Sequence, residues 1–231
     1  MKKLFTFASL MFLVGLPALS AQNVAHAKPS APPPYCNPCL FYGGDLGNGE
    51  NGFVNADTIF VPFTEILVPF DVPAGEVWKV GALFTNNLPT TTGNVFDPKK
   101  AMWSIRQGVQ PGDCGTLLAS GDSAATIDPT GNTIFGYTEY NVLVKIPPIE
   151  LSSGSYWLSV VPECLDSSCA VNVYYFISGF QGAGTGGYGP PEPNNESFSS
   201  SSLTGTNCGS VSGLEFSAGV LGASDTPYRG Q

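Results

Sequence analysis

Short runs in which apolar and polar residues alternate recur along the chain, and sustained helical spacing of apolar residues is absent from it. Glu76 to Thr85 places Trp78, Val80, Ala82 and Phe84 on one face, and AMWSIRQG places Trp103 and Ile105 together. Tyr140, Val142, Val144 and Ile146 alternate with Glu139, Asn141, Leu143 and Lys145, and Val171, Val173, Tyr175 and Ile177 alternate with their own neighbours. Thr58 to Phe63 and Glu65 to Val72 carry prolines that suit sheet edges or bends. With GTLLAS, YWLSVV and LEFSAGVL, the runs amount to roughly eight to ten strands, enough for two packed sheets. VPAGE (72–76), DPTGN (128–132) and LSSGS (151–155) put Pro or Gly where tight turns need a preset or positive φ. The pattern therefore predicts an all-β chain folded as a two-sheet antiparallel sandwich.

The ends of the chain read differently. MKK is followed by an apolar run from Leu4 to Leu19 and by small-residue sites at Ala18-Leu19-Ser20 and Ala25-His26-Ala27, the order of a secretory signal peptide over residues 1–27, cleaved after Ser20 or Ala27. Its 16 apolar-run residues, interrupted by Pro17, fall short of a membrane span, which needs about 20. No membrane insertion is expected after cleavage. Residues 28–34 (KPSAPPP) form a Pro-rich leader, and residues 35–231 a single domain of ordinary size. Within it, residues 179–210 are dominated by Gly, Pro, Ser and Asn and read as one long loop, flexible or presenting Tyr188 or Phe198. Export makes the expected location secreted or extracellular, with the periplasm as the other exported compartment.

Cleavage after Ala27 changes the available chemistry. It removes Lys2 and Lys3 but no acid, so 7 basic residues face 18 acidic ones and the net charge moves from -9 to -11. Such a surface argues against nucleic acid as a partner. It also removes His26, the sole histidine, and with it any Ser-His-Asp or Cys-His nucleophile pair and any His-ligated zinc.

Six cysteines remain: Cys36, Cys39, Cys114, Cys164, Cys169 and Cys208. In an exported protein this even number predicts three disulfides. Cys164 with Cys169 is the one pairing the spacing favours, across a hairpin loop. The other partners stay open, and a bridge from the N-terminal pair to Cys208 would stabilise by roughly 5 kcal/mol. A thioredoxin-like role for Cys36-Asn37-Pro38-Cys39 needs a strand before it and a helix start after it, whereas APPP precedes and LFYGGDLG follows. CNPC and CLDSSC together offer four thiolates for zinc, but oxidation outside the cell competes with that use.

The polar stretch GGDLGNGENGFVNAD contributes Asp45, Asn48, Glu50, Asn51 and Asp57, oxygen donors of the kind calcium prefers, although the spacing misses the D-x-[DN]-x-[DN]-G loop. Asp45, Asn48, Glu50 and Asp57 are thus the ligand or calcium candidates, set against a plain Asx-rich surface loop. No other cofactor is expected. Glu76 and Glu139 are conceivable acids for a carboxylate-pair hydrolase, yet both alternate with apolar neighbours as solvent-facing strand residues do. Trp78 and Trp103 belong to apolar faces, which makes them core residues before they are a sugar-stacking platform with Trp157.

FDVPAGEVWKVGALFTN (70–86), LSSGSYWLSVVPEC (151–164) and FYGGDL (41–46) resemble signatures of secreted bacterial β-sandwich domains, including exoproteins of unknown function. The likeness covers most of Phe41 to Val161. It implies a jelly-roll-like sandwich similar to the accessory domains of exported proteases and glycosidases, and it transfers no catalytic residue. The expected role is a non-catalytic binding or structural module at the cell surface or in the extracellular matrix, with a glycan or cell-surface component as partner. The alternative is an extracellular hydrolase using a carboxylate pair.

Overall fold

The computed structural model describes residues 32–44, 51–58, 61–89, 97–134, 136–165, 175–180, 187–189, 196–211 and 214–225. Their regular structure is entirely strand: β1 Cys39–Tyr42, β2 Asn51–Val54, β3 Asp57–Thr58, β4 Glu65–Pro89, β5 Lys100–Gln107 and β6 Thr116–Ile134. There follow β7 Tyr137–Cys164, β8 Tyr175–Phe180, β9 Ser197–Ser200, β10 Gly209–Val211, β11 Glu215–Phe216 and β12 Ala218–Ser224. Pairing is antiparallel except for β3, which runs parallel to the end of β7.

The long strands β4, β6 and β7 each take part in two groups of pairings. Residues 65–67 of β4 pair with β9 and residues 68–72 with the 154–158 stretch of β7, which continues to β5 and then to residues 116–124 of β6. Residues 77–89 of β4 pair with residues 140–152 of β7 on one side and with β12 and β8 on the other, and β7 there meets residues 125–134 of β6. Phe70 and Trp78 of β4 stack at 6.2 Å with an interplanar angle of 9°. Eight residues of straight strand would separate them by about 26 Å. β4 must therefore bend back on itself between them, an arrangement consistent with the two-layer packing the alternation predicts.

The bend falls where the sequence places turns. VPAGE and LSSGS lie opposite one another, since Val72 pairs with Gly154 and Val77 with Ser152 across a register shift. Gly75 takes a φ of 85° in this corner. DPTGN likewise makes a shift between Pro129 and Thr133 within the β6–β7 ladder, and the chain reverses beyond it, between Ile134 and Tyr137. The same turn chemistry thus bends paired strands instead of ending them. It also merges the expected Glu65 to Val72 and Glu76 to Thr85 runs into one strand. Pro69 fits inside that strand because, among the described residues, β4 pairs only with β7 between Val68 and Val77.

Trp78 and Val80 face the main core with Phe41, Phe70, Ile105, Val142 and Val144, but Ala82 and Phe84 do not. Gly81 is skipped both by β7, where Val80 pairs with Ile149 and Ala82 with Lys145, and by β12, where Gly222 pairs with Val80 and Leu221 with Ala82. One extra residue reverses the alternation. Leu83 therefore enters the main core, and Ala82 and Phe84 turn to the opposite face.

The close approach at this bulge leaves no room at Gly222, where a Cβ would lie 2.1 Å from the Lys79 carbonyl oxygen, whereas Gly81 has open space. Gly222→Ala is expected to destabilise by about 1–3 kcal/mol and Gly81→Ala by less than about 1 kcal/mol, read from urea midpoints. Equal midpoints for the two variants would show that the contact does not constrain the bulge.

The residues between 179 and 210 are not uniformly loop. Ser197–Ser200 pairs with both β4 and β10, Phe198 is buried, and Cys208 is held to Cys114 by a disulfide. A buried aromatic and a covalent tie fix this part of the Gly/Ser-rich stretch as a hairpin against the sheet.

Candidate functional site at the N-terminal staple

Cys36-Asn37-Pro38-Cys39 is a stapled turn. The two sulfurs are bonded to each other, the Cys36 amide donates to the Pro33 carbonyl at 2.9 Å, and Cys39 opens β1. A strand follows the motif where an oxidoreductase motif needs a helix N-terminus to stabilise a thiolate. The pair is also closed on itself, so it contributes neither to a zinc site with Cys164 nor to a long-range bridge with Cys208.

The turn covers the outward face that the Gly81 bulge creates. Cys36, Tyr42, Ala82, Phe84 and Leu221 form an apolar cluster there, with Tyr35 edge-on to Phe84 at 5.4 Å. Beneath it lies a buried polar network. Asn141 Nδ2 donates to Asn86 Oδ1 at 2.8 Å, and Asn86 Nδ2 donates to Ser217 Oγ at 2.8 Å and to the Tyr35 hydroxyl at 3.2 Å. The Tyr42 hydroxyl contacts Ser217 Oγ at 3.3 Å. These amides are desolvated, so each lost partner would leave a costly orphan.

On its outer side the turn forms a half-open hollow of about 460 Å³ walled by Pro32 to Pro34, Asn37, Pro38, the disulfide and Tyr188. Tyr188 is placed by two backbone hydrogen bonds with Tyr42, at 2.8 and 2.9 Å. Proline rings and the Tyr188 side chain contribute apolar surface to these walls, and Asn37 a polar side chain. Such walls suit stacking of a ring-shaped ligand better than proton transfer.

Asp45, Asn48 and Glu50 lie outside the described residues. Asp57 is in β3, where it pairs with Glu163 of β7, and Glu163 in turn pairs with Lys100 of β5. Lys100 Nζ reaches Asp122 Oδ2 at 2.8 Å. Partial burial raises the Asp57 carboxyl above its ordinary range. Glu163 is raised by burial first, then by the Asp122 and Asp57 carboxylates, with Lys100 opposing. This is an acidic surface ladder with one cation. Among the described residues no group of three or more Cys, His, Asp or Glu is placed to hold a metal ion.

Glu76 and Glu139, expected on a solvent face, are both buried. Glu76 Oε2 accepts from Trp78 Nε1 at 2.8 Å and from Ser224 Oγ at 3.0 Å. Glu139 Oε2 accepts from Thr130 Oγ1 at 2.7 Å and Asn132 Nδ2 at 2.8 Å, which ties down the 128–132 bulge. The 128–132 bulge buries the outward side at Glu139, whereas Glu76 lies in phase with Trp78 and Val80 on the inward face, where alternation itself places it.

A third carboxylate was not singled out by the sequence pattern. Glu65 is fully buried, 3.6 Å from Arg106 Nη2, and its Oε2 accepts from Ser104 Oγ at 3.2 Å. Arg106, also buried, donates to the carbonyls of Cys114, at 3.3 Å, and Leu203. Burial pushes Glu65 up to about 7 against the pull of the Arg106 cation and the Ser104 hydroxyl. The signal was present as a lone acid before ILVPF and a lone base in AMWSIRQ, charges inside otherwise apolar runs. Through the Cys114 and Leu203 carbonyls the buried pair ties β4 and β5 to the Cys114–Cys208 region and the segment between β9 and β10.

Cys164 is disulfide-bonded, and its expected partner Cys169 lies outside the described residues. Trp78 and Trp103 are core residues, as the alternation implies, while Trp157 packs on Phe198 at 6.3 Å and donates to the Glu196 carbonyl. Comparison with protein-family models, curated proteins and solved structures found no match for the chain.

Proposed function

We propose that the protein is an exported, non-catalytic binding module of the jelly-roll kind, which acts at the cell surface or in the extracellular matrix and takes a carbohydrate ring in the hollow beside Tyr188. The observation that carries this reading is the hollow itself, with its proline and tyrosine walls on a turn stapled by Cys36 and Cys39. Two disulfides suit an oxidising compartment, and the signal-like N-terminus and the resemblance to exported β-sandwich domains point the same way. Loops and turns on a rigid sheet scaffold are where such domains carry specificity.

The test is a glycan array probed with the mature chain, with and without calcium, beside Tyr188→Ala. Binding to a defined glycan class, weakened about fivefold or more by Tyr188→Ala and indifferent to calcium, is the expected result, since removing a stacked aromatic costs about 1 kcal/mol or more. Binding that survives Tyr188→Ala would move the site elsewhere. The register pair Asp57 and Glu163, with Glu163 raised, favours a second reading as a carboxylate-pair hydrolase. Glycan cleavage abolished by Glu163→Gln would establish that reading instead.

A further inference from the structure

We infer that the Cys36–Cys39 bridge is a thiol-exchange site, at which a small thiol entering the hollow beside Tyr188 opens the bridge and releases the turn while Cys114–Cys208 stays closed. The rate of thiol exchange depends on the access of the attacking sulfur to the bridge. Cys36 and Cys39 both line the hollow, and Cys39 is only half-buried. Cys114 and Cys208 are both buried, packed with Leu67, Val109 and Phe198. The hollow, about 460 Å³, is of a size for small molecules, and none of the residues lining it carries a charge. A small uncharged thiol therefore meets the first bridge in the folded chain and reaches the second only once its packing opens.

Burial sets the direction of the exchange. Cys36 sits in an apolar cluster with Tyr42, Ala82, Phe84 and Leu221, so the nucleophile approaches Cys39. The thiolate forms a bond to Cys39 Sγ, the bond between the two cysteines breaks, and its electron pair leaves on Cys36 Sγ, which takes a proton from solvent. A second thiolate attacks the sulfur of the first and releases Cys39 as a thiol. Two small thiols are thereby oxidised to one disulfide, and the bridge is reduced to two thiols. The Phe41 carbonyl oxygen lies 3.7 Å from Cys36 Sγ and 3.6 Å from Cys39 Sγ, within reach of both new S–H groups. A strand follows Cys39, so no helix N-terminus holds either sulfur as a thiolate, and the pair is a target of thiols and not a catalyst.

Opening frees the turn but not the strand. Cys39, Phe41 and Tyr42 stay paired with Leu221, Val220 and Gly219 of β12. Ahead of Cys39 the backbone keeps the hydrogen bond from the Cys36 amide to Pro33 and the 3.2 Å bond from the Gly222 amide to the Pro38 carbonyl. Without the bridge these bonds are left to fray, and the wall of Pro32 to Pro34 comes away from Tyr188, which remains tied to Tyr42. The oxidised chain thus has the hollow and the reduced chain loses it. The exchange itself does not depend on what the hollow binds.

The mature chain is treated at about pH 8 with low-millimolar 2-mercaptoethanol, quenched at intervals with iodoacetamide and mapped by peptide mass spectrometry. Cys36 and Cys39 should be alkylated about tenfold or more faster than Cys114 and Cys208. An early acid quench should trap 2-mercaptoethanol as a mixed disulfide on Cys39. In the reduced chain the Cys36 amide should exchange with solvent about tenfold or more faster, while the Tyr42 amide keeps its rate and the chain still melts cooperatively. Equal labelling of the two bridges, a trapped thiol mainly on Cys36, or a Cys36 amide unchanged by reduction each overturns the proposal.

Discussion

Replacing Cys114 and Cys208 together by alanine is expected to cost about 4–5 kcal/mol, while replacing Cys36 and Cys39 costs about 2 kcal/mol through chain entropy. The first pair is separated by 94 residues and the second by 3, and the entropy that a cross-link removes from the unfolded chain grows with the loop it closes. Local structure adds to the larger figure, because Arg106 donates to the Cys114 carbonyl and Phe198, Leu67 and Val109 pack around the bridge. For a domain of this size the melting temperature should fall by roughly 10 to 20 °C for the long-range bridge. Calorimetry on the two double variants decides the matter. A smaller loss at Cys114 and Cys208 than at Cys36 and Cys39 would mean that the outward-facing amide network, not the long loop, dominates what the bridges stabilise.

The second large effect is a stability that falls as the solution becomes more alkaline. Glu65 is raised from 4.5 to about 7 by burial, so the folded chain holds that proton more tightly than the unfolded chain. Its contribution is complete below about pH 4.5 and is lost as pH rises through about 7, and the rise corresponds to about 3 kcal/mol. Asp57, Asp71 and Glu163 are raised as well, so they act in the same direction. Glu65→Gln isolates the buried group, because glutamine keeps the neutral shape and does not titrate. Its stability relative to the wild type should improve by about 3 kcal/mol between pH 4.5 and pH 8 in urea titrations. A difference that does not change with pH would show that Glu65 is ionised throughout and that Arg106 outweighs burial.

Alternation made the all-β character of the chain readable, and it assigned Trp78, Trp103, Ile105, Val142, Val144 and Ile177 to the core correctly. It failed one residue beyond Val80, because a bulge at glycine has no signature in a pattern of apolar and polar letters. Phe84 looks equally apolar whichever face it serves. The turn motifs were likewise located correctly and misread in kind. Gly and Pro announce positive φ and missing donors, and those properties serve a bent ladder as well as a chain reversal. The flanks of CNPC argued against a redox-catalytic motif but left the partners of Cys36 and Cys39 open, and pairing Cys114 with Cys208 required the hairpin of β9 and β10, which a Gly/Ser-rich composition concealed. Asn86 and Asn141 stood out only as polar residues in strand runs. Their network depends on Ser217 and Tyr35, distant in sequence, so it could not be assembled before the strands were.

The corner shared by VPAGE and LSSGS also governs how the molecule can come apart. Because β4 and β7 each pass through it, the half that holds Phe70 and the half that holds Trp78 are joined by two hydrogen-bonded strands, not by a loose connection. Neither half can open while the other stays closed without pulling those strands out of register. Asn55 strengthens the coupling by donating both to Asn87 in the later half of β4 and to the Val160 carbonyl in the later half of β7. Amide hydrogen exchange in the two halves should therefore be governed by a single opening event, so that a fragment cut at the corner has no independent fold to retain.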